Sequence, residues 1–500
     1  MSAPDSLAGS QDPAHVPNAF AAAPLSPEDK ARNNIVIILL LVATFVVFLN
    51  ETIMSVALPS LMADLNISAS AAQWLTSAFL LTMAIVIPTT GFIMQRLTTR
   101  AVFIAAMTCF CIGTLVCATA PNFPILLVGR VVQAVGTAIM MPLMMTTVMT
   151  VVPPENRGRV MGNISIVISV APALGPTISG IILELLNWRW MFWLVLPIGL
   201  GALALGYALM RNIGETRKAP LDILSVILSA IGFGGLVYGL SSIGEGAAHG
   251  VEPALPLWLS PSIGAIALVL FVARQFQLQR EERALLDLRT LAHPAYAVAV
   301  VVLALTMLGL FGAVILLPIL MQSVMGMTTL QSGLMLLPGG LLMAIMAPIV
   351  GRIYDKQGPR ILVVPGSILT TAALFVMTLA GSSIVILLGA HLVLSVGLAM
   401  LFTPLFSSGL GALPQRLYSH GAALVSALQQ VAGAAGIAVL ISVMTLRGSA
   451  LAAGGASAHD AIMGGVHSAL QLAAALSVLA IIGAFFVKGT PGGSAGHGHH

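Results

Sequence analysis

Long apolar runs separated by short polar stretches recur fourteen times along the chain, over about residues 34–58, 72–94, 101–120, 123–150, 160–183, 190–210, 222–242, 256–273, 295–323, 331–350, 361–380, 383–410, 421–446 and 467–487. Each is close to the ~20 residues that cross the ~30 Å hydrocarbon core of a bilayer as a helix. An even number of spans puts both termini on one side. Of 21 Lys and Arg, 18 fall in the tails and even-numbered loops, Arg189 and Arg447 fall in the opposite loops, and Arg130 lies inside a run. Basic loops stay in the cytoplasm, so both termini are expected there, in a multi-pass plasma-membrane protein.

The pattern also repeats. Leu58-Pro59-Ser60-Leu61-Met62 returns as Leu317-Pro318-Ile319-Leu320-Met321, an offset of 259. Met83-Ala84-Ile85 with Pro88 and Gly91 returns as Met343-Ala344-Ile345 with Pro348 and Gly351, an offset of 260. Arg130 with Gly136 is echoed by His391 with Gly397, an offset of 261. Near-constant spacing divides the chain into two similar halves. The expected parts are a disordered tail (1–33), a six-helix bundle (34–210), an inserted helix pair (211–294), a second bundle (295–487) and a short tail (488–500). Parallel halves are a transporter plan, with the substrate site between them near the midplane.

Composition closes off other classes. With 58% apolar and 8% charged residues, the chain cannot cover a soluble core, for which ~25% charge is usual. A net charge of +4 without a dense basic segment gives no nucleic-acid face. Cys109, Cys111 and Cys117 share one run, the outer two ~12 Å apart along a helix, too far for a disulfide. They read as buried small residues. The N-terminal stretch to Lys30 is rich in Pro, Ala and Ser and lacks a signal-peptide pattern. Three histidines in 496–500 suit weak metal binding or a flexible tail. No phosphate-cradling loop, metal-ligand cluster or nucleophile triad is evident. The chain is therefore expected to be neither an enzyme nor cofactor-dependent, with no resident metal.

Four motifs carry a family resemblance. After the second run comes GFIMQRLTTR, with Gly91, Arg96 and Arg100 but Gln95 where an aspartate is usual. Its second-half counterpart GRIYDKQGPR keeps Gly351, Asp355, Gly358 and Arg360. The fourth run holds Arg130-Val131-Val132-Gln133-Ala134-Val135-Gly136, and the fifth holds Ala171-Pro172-Ala173-Leu174-Gly175-Pro176. With Leu49-Asn50-Glu51-Thr52-Ile53 and Trp188-Arg189-Trp190-Met191-Phe192, the chain from about 34 to 487 resembles the fourteen-helix drug:proton antiporters of the major facilitator superfamily. Within that branch it looks most like lincomycin-resistance-type exporters. The resemblance implies an all-α membrane fold of two six-helix bundles plus two inserted helices, energised by a proton gradient.

Glu51 is the only acid well inside a span, where a charged carboxylate costs ~2.5–3.5 kcal/mol on insertion scales. It must be protonated, paired or next to water. Thr44, Glu51 and Ser55 share one helix face. The branch usually carries its acid one position earlier, at Asn50, ~100° around the helix. Arg130 cannot deprotonate and needs an acid, carbonyls or water. Pairing with Glu51 and bonding to loop carbonyls are both open. His391, at the matching place in the second half, could titrate near neutral pH or simply bond a neighbour. Glu51, Arg130 and His391 are the proton-coupling candidates.

Gly175 and Pro176 are expected to kink the fifth helix and permit close packing. The loops at Arg96/Arg100 and Asp355/Arg360 are candidate latches between the halves. Asn50, Ser55, Trp74, Gln133, Met144, Asn163, Gln322, Gln429 and Gln430 are candidates for the cavity wall. Thioethers suit promiscuous apolar binding, and scarce fixed charge argues against a highly charged substrate. The expectation is proton-coupled export of amphipathic drugs by a monomer. The rivals are export of an endogenous metabolite or lipid by the same fold, and a channel-like or sensory membrane protein.

Overall fold

The computed structural model describes residues 27–67, 69–213, 222–249, 256, 258–381 and 383–488. Fourteen long helices run through these residues. The first half contains α1 (Pro27–Leu65), α2 (Ala69–Arg96), α3 (Thr99–Thr119), α4 (Phe123–Val151), α5 (Arg157–Leu185) and α6 (Arg189–Leu209). Then come α7 (Ile223–His249) and α8 (Leu259–Gln279). The second half contains α9 (Pro294–Ile319), α10 (Thr329–Gln357), α11 (Arg360–Leu379), α12 (Ile384–Gly411), α13 (Tyr418–Ala453) and α14 (Ala458–Phe485). Thirteen are long and apolar enough, by length and composition, to cross a membrane among the described residues. The remaining one, α5, has 29 residues and packs against α1 and α10.

The helices outrun the apolar runs, because a helix continues into the polar zone of a bilayer. α1 begins at Pro27, so residues 27–33 are helical where a disordered tail was expected. Residues 1–26 and 489–500 lie outside the described residues.

The two halves pack alike. α1 meets α5, α2 meets α4, and α3 meets α4 and α6. In the second half α9 meets α13, α10 meets α12, and α11 meets α12 and α14. The match reaches single atoms. A Cβ on Gly136 would strike the Ala106 carbonyl and Phe110, and one on Gly397 would strike the Gly366 carbonyl and Thr370. Both glycines let α4 and α12 close onto α3 and α11, and Ala106 and Phe110 stand 260 before Gly366 and Thr370. A π-helical turn, Leu320–Val324, carries α9 on to residue 324, so the turn before α10 is 325–328, against 66–68 between α1 and α2. The turn between α3 and α4 is 120–122, against 380–383.

The halves meet along two seams, α5 with α10 and α2 with α13. α7 and α8 form a hairpin outside both bundles. α7 leans on α2 and α13, while α8 packs on α7 and the turn at 288–292. Ile266, Val269 and Phe276 of α8 are exposed, as suits a face turned to lipid. At the hairpin base Asp222 accepts bonds from Arg274 (3.0 and 3.2 Å) and from Ser225. Those bonds, Arg274 first, push its carboxyl pKa down to about 2. Gln275 joins Ser225 (2.8 Å) to the Leu286 amide (3.2 Å), so the hairpin is fastened to the segment leading into the second half.

Candidate functional site

The buried polar cluster of the first half forms where α1, α2, α3 and α4 converge. Asn122 caps α4 by accepting from the Ile125 amide. Two helical turns on, Arg130 is 1% exposed. Its Nε donates to the Leu75 carbonyl (3.4 Å), and one terminal nitrogen donates to Asn50 Oδ1 (3.3 Å) and Gln133 Oε1 (2.7 Å). The guanidinium lies 4.1 Å from the Phe79 ring centre, an arrangement in which the aromatic face attracts the cation. Gln133 Nε2 donates to Thr114 Oγ1 (2.8 Å), which donates to the Phe110 carbonyl (2.7 Å). Arg130 is thus held by two side-chain amides and a carbonyl inside α2, and neither the ion pair with Glu51 nor the loop carbonyls left open from sequence are among these bonds.

Glu51 follows Asn50 on α1. The residue is partly exposed, but its Oε2 is buried with no hydrogen-bond partner, and Thr44 Oγ1 on the same face is likewise unpartnered. An unsatisfied buried polar atom costs ~1–3 kcal/mol, more if charged. α5 approaches closely just beside it. A Cβ on Gly175 would run into Thr52 Oγ1, and Thr52 donates to the Ala171 carbonyl (3.4 Å) as well as within its own helix. Gly175 thus permits the contact that positions the Glu51 turn of α1.

In the second half, His391 Nε2 bonds the Leu336 carbonyl (3.2 Å), and its Nδ1 is buried without a partner. Gly339 makes room for the ring. Glu51 and Arg130 are thus brought together in one half, and His391 stands apart in the other.

The cavity candidates divide. Asn50 and Gln133 are buried and bonded within the arginine cluster, so Gln133 is a brace between α3 and α4 and not a cavity wall. Met144 is fully covered: it is core packing, because its helix is enclosed by α1, α2, α3 and α13. Trp74 stacks on Tyr238 of α7 at 5.8 Å and 27°, which places it against the inserted hairpin. Asn163 and Gln322 are exposed, and Gln429 and Gln430 are half-buried on α13. Ser55 lies on α1 and Pro176 on α5, with side chains outside the described residues.

The face that carries most of the Lys and Arg, here the basic face, is where the halves touch most explicitly. Asp355 Oδ1 and Oδ2 accept from the Gly158 and Arg159 amides at 2.7 and 2.9 Å. These are the first amides of α5, whose dipole favours a negative charge there. The matching first-half residue, Gln95, donates once to the Arg416 carbonyl at 3.3 Å. Arg157 reaches Tyr418 Oη (3.2 Å), and Ser165 bonds Thr403 (2.7 Å). Gly91 rests on Ser419 and His420 of α13, and Gly351 on Gly158 and Arg159 of α5. Gly358 ends α10 at φ 78°, a left-handed conformation suited to glycine. Arg96 sits exposed in the last turn of α2, and Arg360 is exposed at the start of α11. Arg100 departs from expectation: it donates to the Tyr207 carbonyl (2.6 Å) and lies over that ring. It ties α3 to α6 inside one half.

Asp64 escaped the sequence reading. It accepts from Trp188 Nε1 and from Arg189, both at 2.9 Å, and these bonds, Trp188 first, hold its carboxyl below the usual range. The available signal was Arg189 itself, a rare cation on its face needing a nearby acid.

Comparison with known proteins agrees with this architecture. Residues 40–437 match the Major Facilitator Superfamily. An uncharacterized MFS-type transporter of Bacillus subtilis, YcnB, is 40% identical over 466 residues, covering 93% of this chain and 97% of the relative. Lincomycin resistance protein LmrB of the same organism is 39% identical over 473 residues, covering 91% and 95%. Among solved structures, the human organic anion transporter MFSD10 superposes with a TM-score of 0.67 at 17% identity, over 91% of this chain and 99% of that one. The family match over most of the chain and relatives at about 40% identity along nearly its whole length agree with the two-bundle fold, and the chain belongs to the major facilitator superfamily.

Proposed function

We propose that this transporter exports amphipathic drugs from the cytoplasm across the plasma membrane by alternating access, driven by proton entry through Glu51. The observation that carries the reading is the unpartnered Oε2 of Glu51, on a partly exposed residue beside a guanidinium that neutral groups already hold. A carboxyl so placed gains little from staying charged and is free to exchange a proton. Relatives named for lincomycin and multidrug resistance, at 39% and 30% identity, support drugs as the cargo. The basic face is assigned to the cytoplasm, with both termini, and its bonds between the halves close that side. Opening requires Asp355 to leave α5 and Gly91 to leave α13.

The test is a proteoliposome assay. Adding substrate from a drug panel to vesicles holding the purified chain should release protons in step with drug movement, abolished by a protonophore. Drug movement without proton movement would overturn coupling. Proton movement with no drug of the panel, but with a lipid or metabolite, would overturn the substrate class.

A further inference from the structure

His420 is a buried ionisable group for which the cycle above has no use. It sits near the N-terminus of α13 and is 4% exposed, and its Nδ1 has no partner. The backbone of Leu285 lies beside the ring, and Nδ1 is the buried nitrogen left without a partner. A Cβ on Gly91 would stand 3.0 Å from Nδ1 and 3.3 Å from the His420 Cα. The α2 end of the first half therefore lies directly over this nitrogen.

The matching first-half residue, 261 earlier, is Arg159, and it is exposed. His420 is covered because the segment that follows the inserted hairpin roofs it. In that segment Asp287 is 4% exposed and takes a bidentate pair from Arg289, with distances of 2.6 to 3.0 Å. Burial opposes the Asp287 charge, but the Arg289 bonds outweigh it and keep the carboxyl ionised. The charged groups acting on the ring from this roof are Asp287 and Arg289. α2 contributes Gln95, bonded to the Arg416 carbonyl, and Arg96 at its end. α9 contributes Tyr296, whose hydroxyl is committed to the Gly421 carbonyl, and Arg157 of α5 is engaged with Tyr418.

We propose that His420 is a second proton-binding site, placed at the cytoplasmic gate and reachable only when Gly91 lifts away. With the gate shut, the ring is dry and a charged imidazole has no water. With the gate open, Nδ1 takes a proton from the cytoplasm, and the imidazolium faces the Asp287 carboxylate. The proton returns to the same compartment before closure, so it tunes the gate without adding to the transported charge. Protons bind the open state better, so acid on the cytoplasmic side shifts the population towards it. The inference rests on the alternating-access part of the proposed function alone.

The experiment measures gate width directly. Spin labels at Leu97→Cys and Gln415→Cys, both exposed on the two sides of the Gly91 contact, report distance in the full chain in nanodiscs, with Cys109→Ser as background. Glu51→Gln is included so that the deep carboxyl does not contribute. Lowering the pH from about 8 to about 5.5 should raise the open-to-closed ratio about fivefold, with a midpoint in the histidine range. His420→Gln should abolish that shift, and Asp287→Asn should move the midpoint to lower pH. In the chain with native His420, deuterium exchange at its ring carbon, read by mass spectrometry, should follow a titration of the same midpoint. An unchanged pH response in His420→Gln, or a native His420 that shows no titration, overturns the proposal. Failure of proton-driven export in Glu51→Gln concerns only the other site and leaves this readout intact.

Discussion

Arg130 and His391 each bond a backbone carbonyl on the second helix of their own half, at Leu75 and Leu336. The two side chains are 261 residues apart and so are the two carbonyls, within one residue of the 260 that relates α2 to α10. An arginine and a histidine thus do the same mechanical work, tying the fourth helix of a bundle to its second. The difference lies beside them: among the described residues, only the first-half tie has a carboxyl next to it.

That shared task predicts how His391 responds to substitution. His391→Gln keeps a donor for the Leu336 carbonyl and should fold and transport with an unaltered pH profile. His391→Leu removes the side-chain bond to that helix carbonyl and should lower stability by about 0.5–1.5 kcal/mol, read as a fall in the thermal midpoint in detergent. A shifted pH profile in His391→Gln would make it a proton carrier.

For Glu51 the expectation is sharper. Glu51→Gln preserves shape but cannot exchange a proton, so pH-driven efflux should be abolished while substrate binding persists with its pH dependence flattened. Glu51→Asp should retain partial activity with a displaced optimum. Wild-type pumping by Glu51→Gln under a proton gradient would make the residue structural.

At the latch, Asp355→Asn loses a charge facing a helix N-terminus and weakens two short bonds, whereas Gln95→Ala loses one long bond. At equal expression Asp355→Asn should impair transport several-fold more, since hydrogen bonds to a charged group are worth ~1.5–3 kcal/mol against ~0.5–1.5 for a neutral pair. Initial efflux rates in matched vesicles decide it.

Gly175→Ala should push α5 off α1 at Thr52, costing about 1–3 kcal/mol as overpacking does. Thr52→Ala removes the hydroxyl the new methyl would hit, so the double variant should recover part of the loss. A thermal-melt double-mutant cycle showing strict additivity would dissociate the two residues.

The base of the α7–α8 hairpin has a defined acid limit. The Asp222 carboxyl is depressed to about 2, so it contributes stability that is complete above its unfolded value of about 3.9 and is lost as pH falls towards 2. Hydrogen exchange at the start of α7, divided by the intrinsic amide rate at each pH, should be constant from neutral pH down to about 5 and then rise. Asp222→Asn should show the raised exchange at every pH.

The fold was legible because membrane helices write themselves as apolar runs and because a repeat leaves an offset. Glu51 and Arg130 stood out through scarcity. What escaped was partnership. Gln133 and Met144 look like cavity residues in a linear chain, since burial against α3 or within a bundle is decided by helix rotation that polarity alone does not specify in a span apolar all round. Trp74 met an inserted helix, and Arg100 turned inward to Tyr207, because long-range contacts set those directions. Asp64, Asp287 and His420 lie at helix ends, where charges are ordinary and only the folded neighbourhood makes them particular.

The repeat offset grows from 259 in α1 to 261 by α4, and each step falls at a turn that is one residue longer in the second half, 325–328 against 66–68 and 380–383 against 120–122. The consequence is historical. After an ancestral half was duplicated, the copies drifted in length only where a turn could absorb the change. An extra residue inside a helix would have rotated everything beyond it by ~100° and carried Gly397 off its neighbour Gly366. The surviving lengths therefore record which joints of the ancestral bundle tolerated growth, and they mark those two turns as the places where a tag of a few residues can be inserted today.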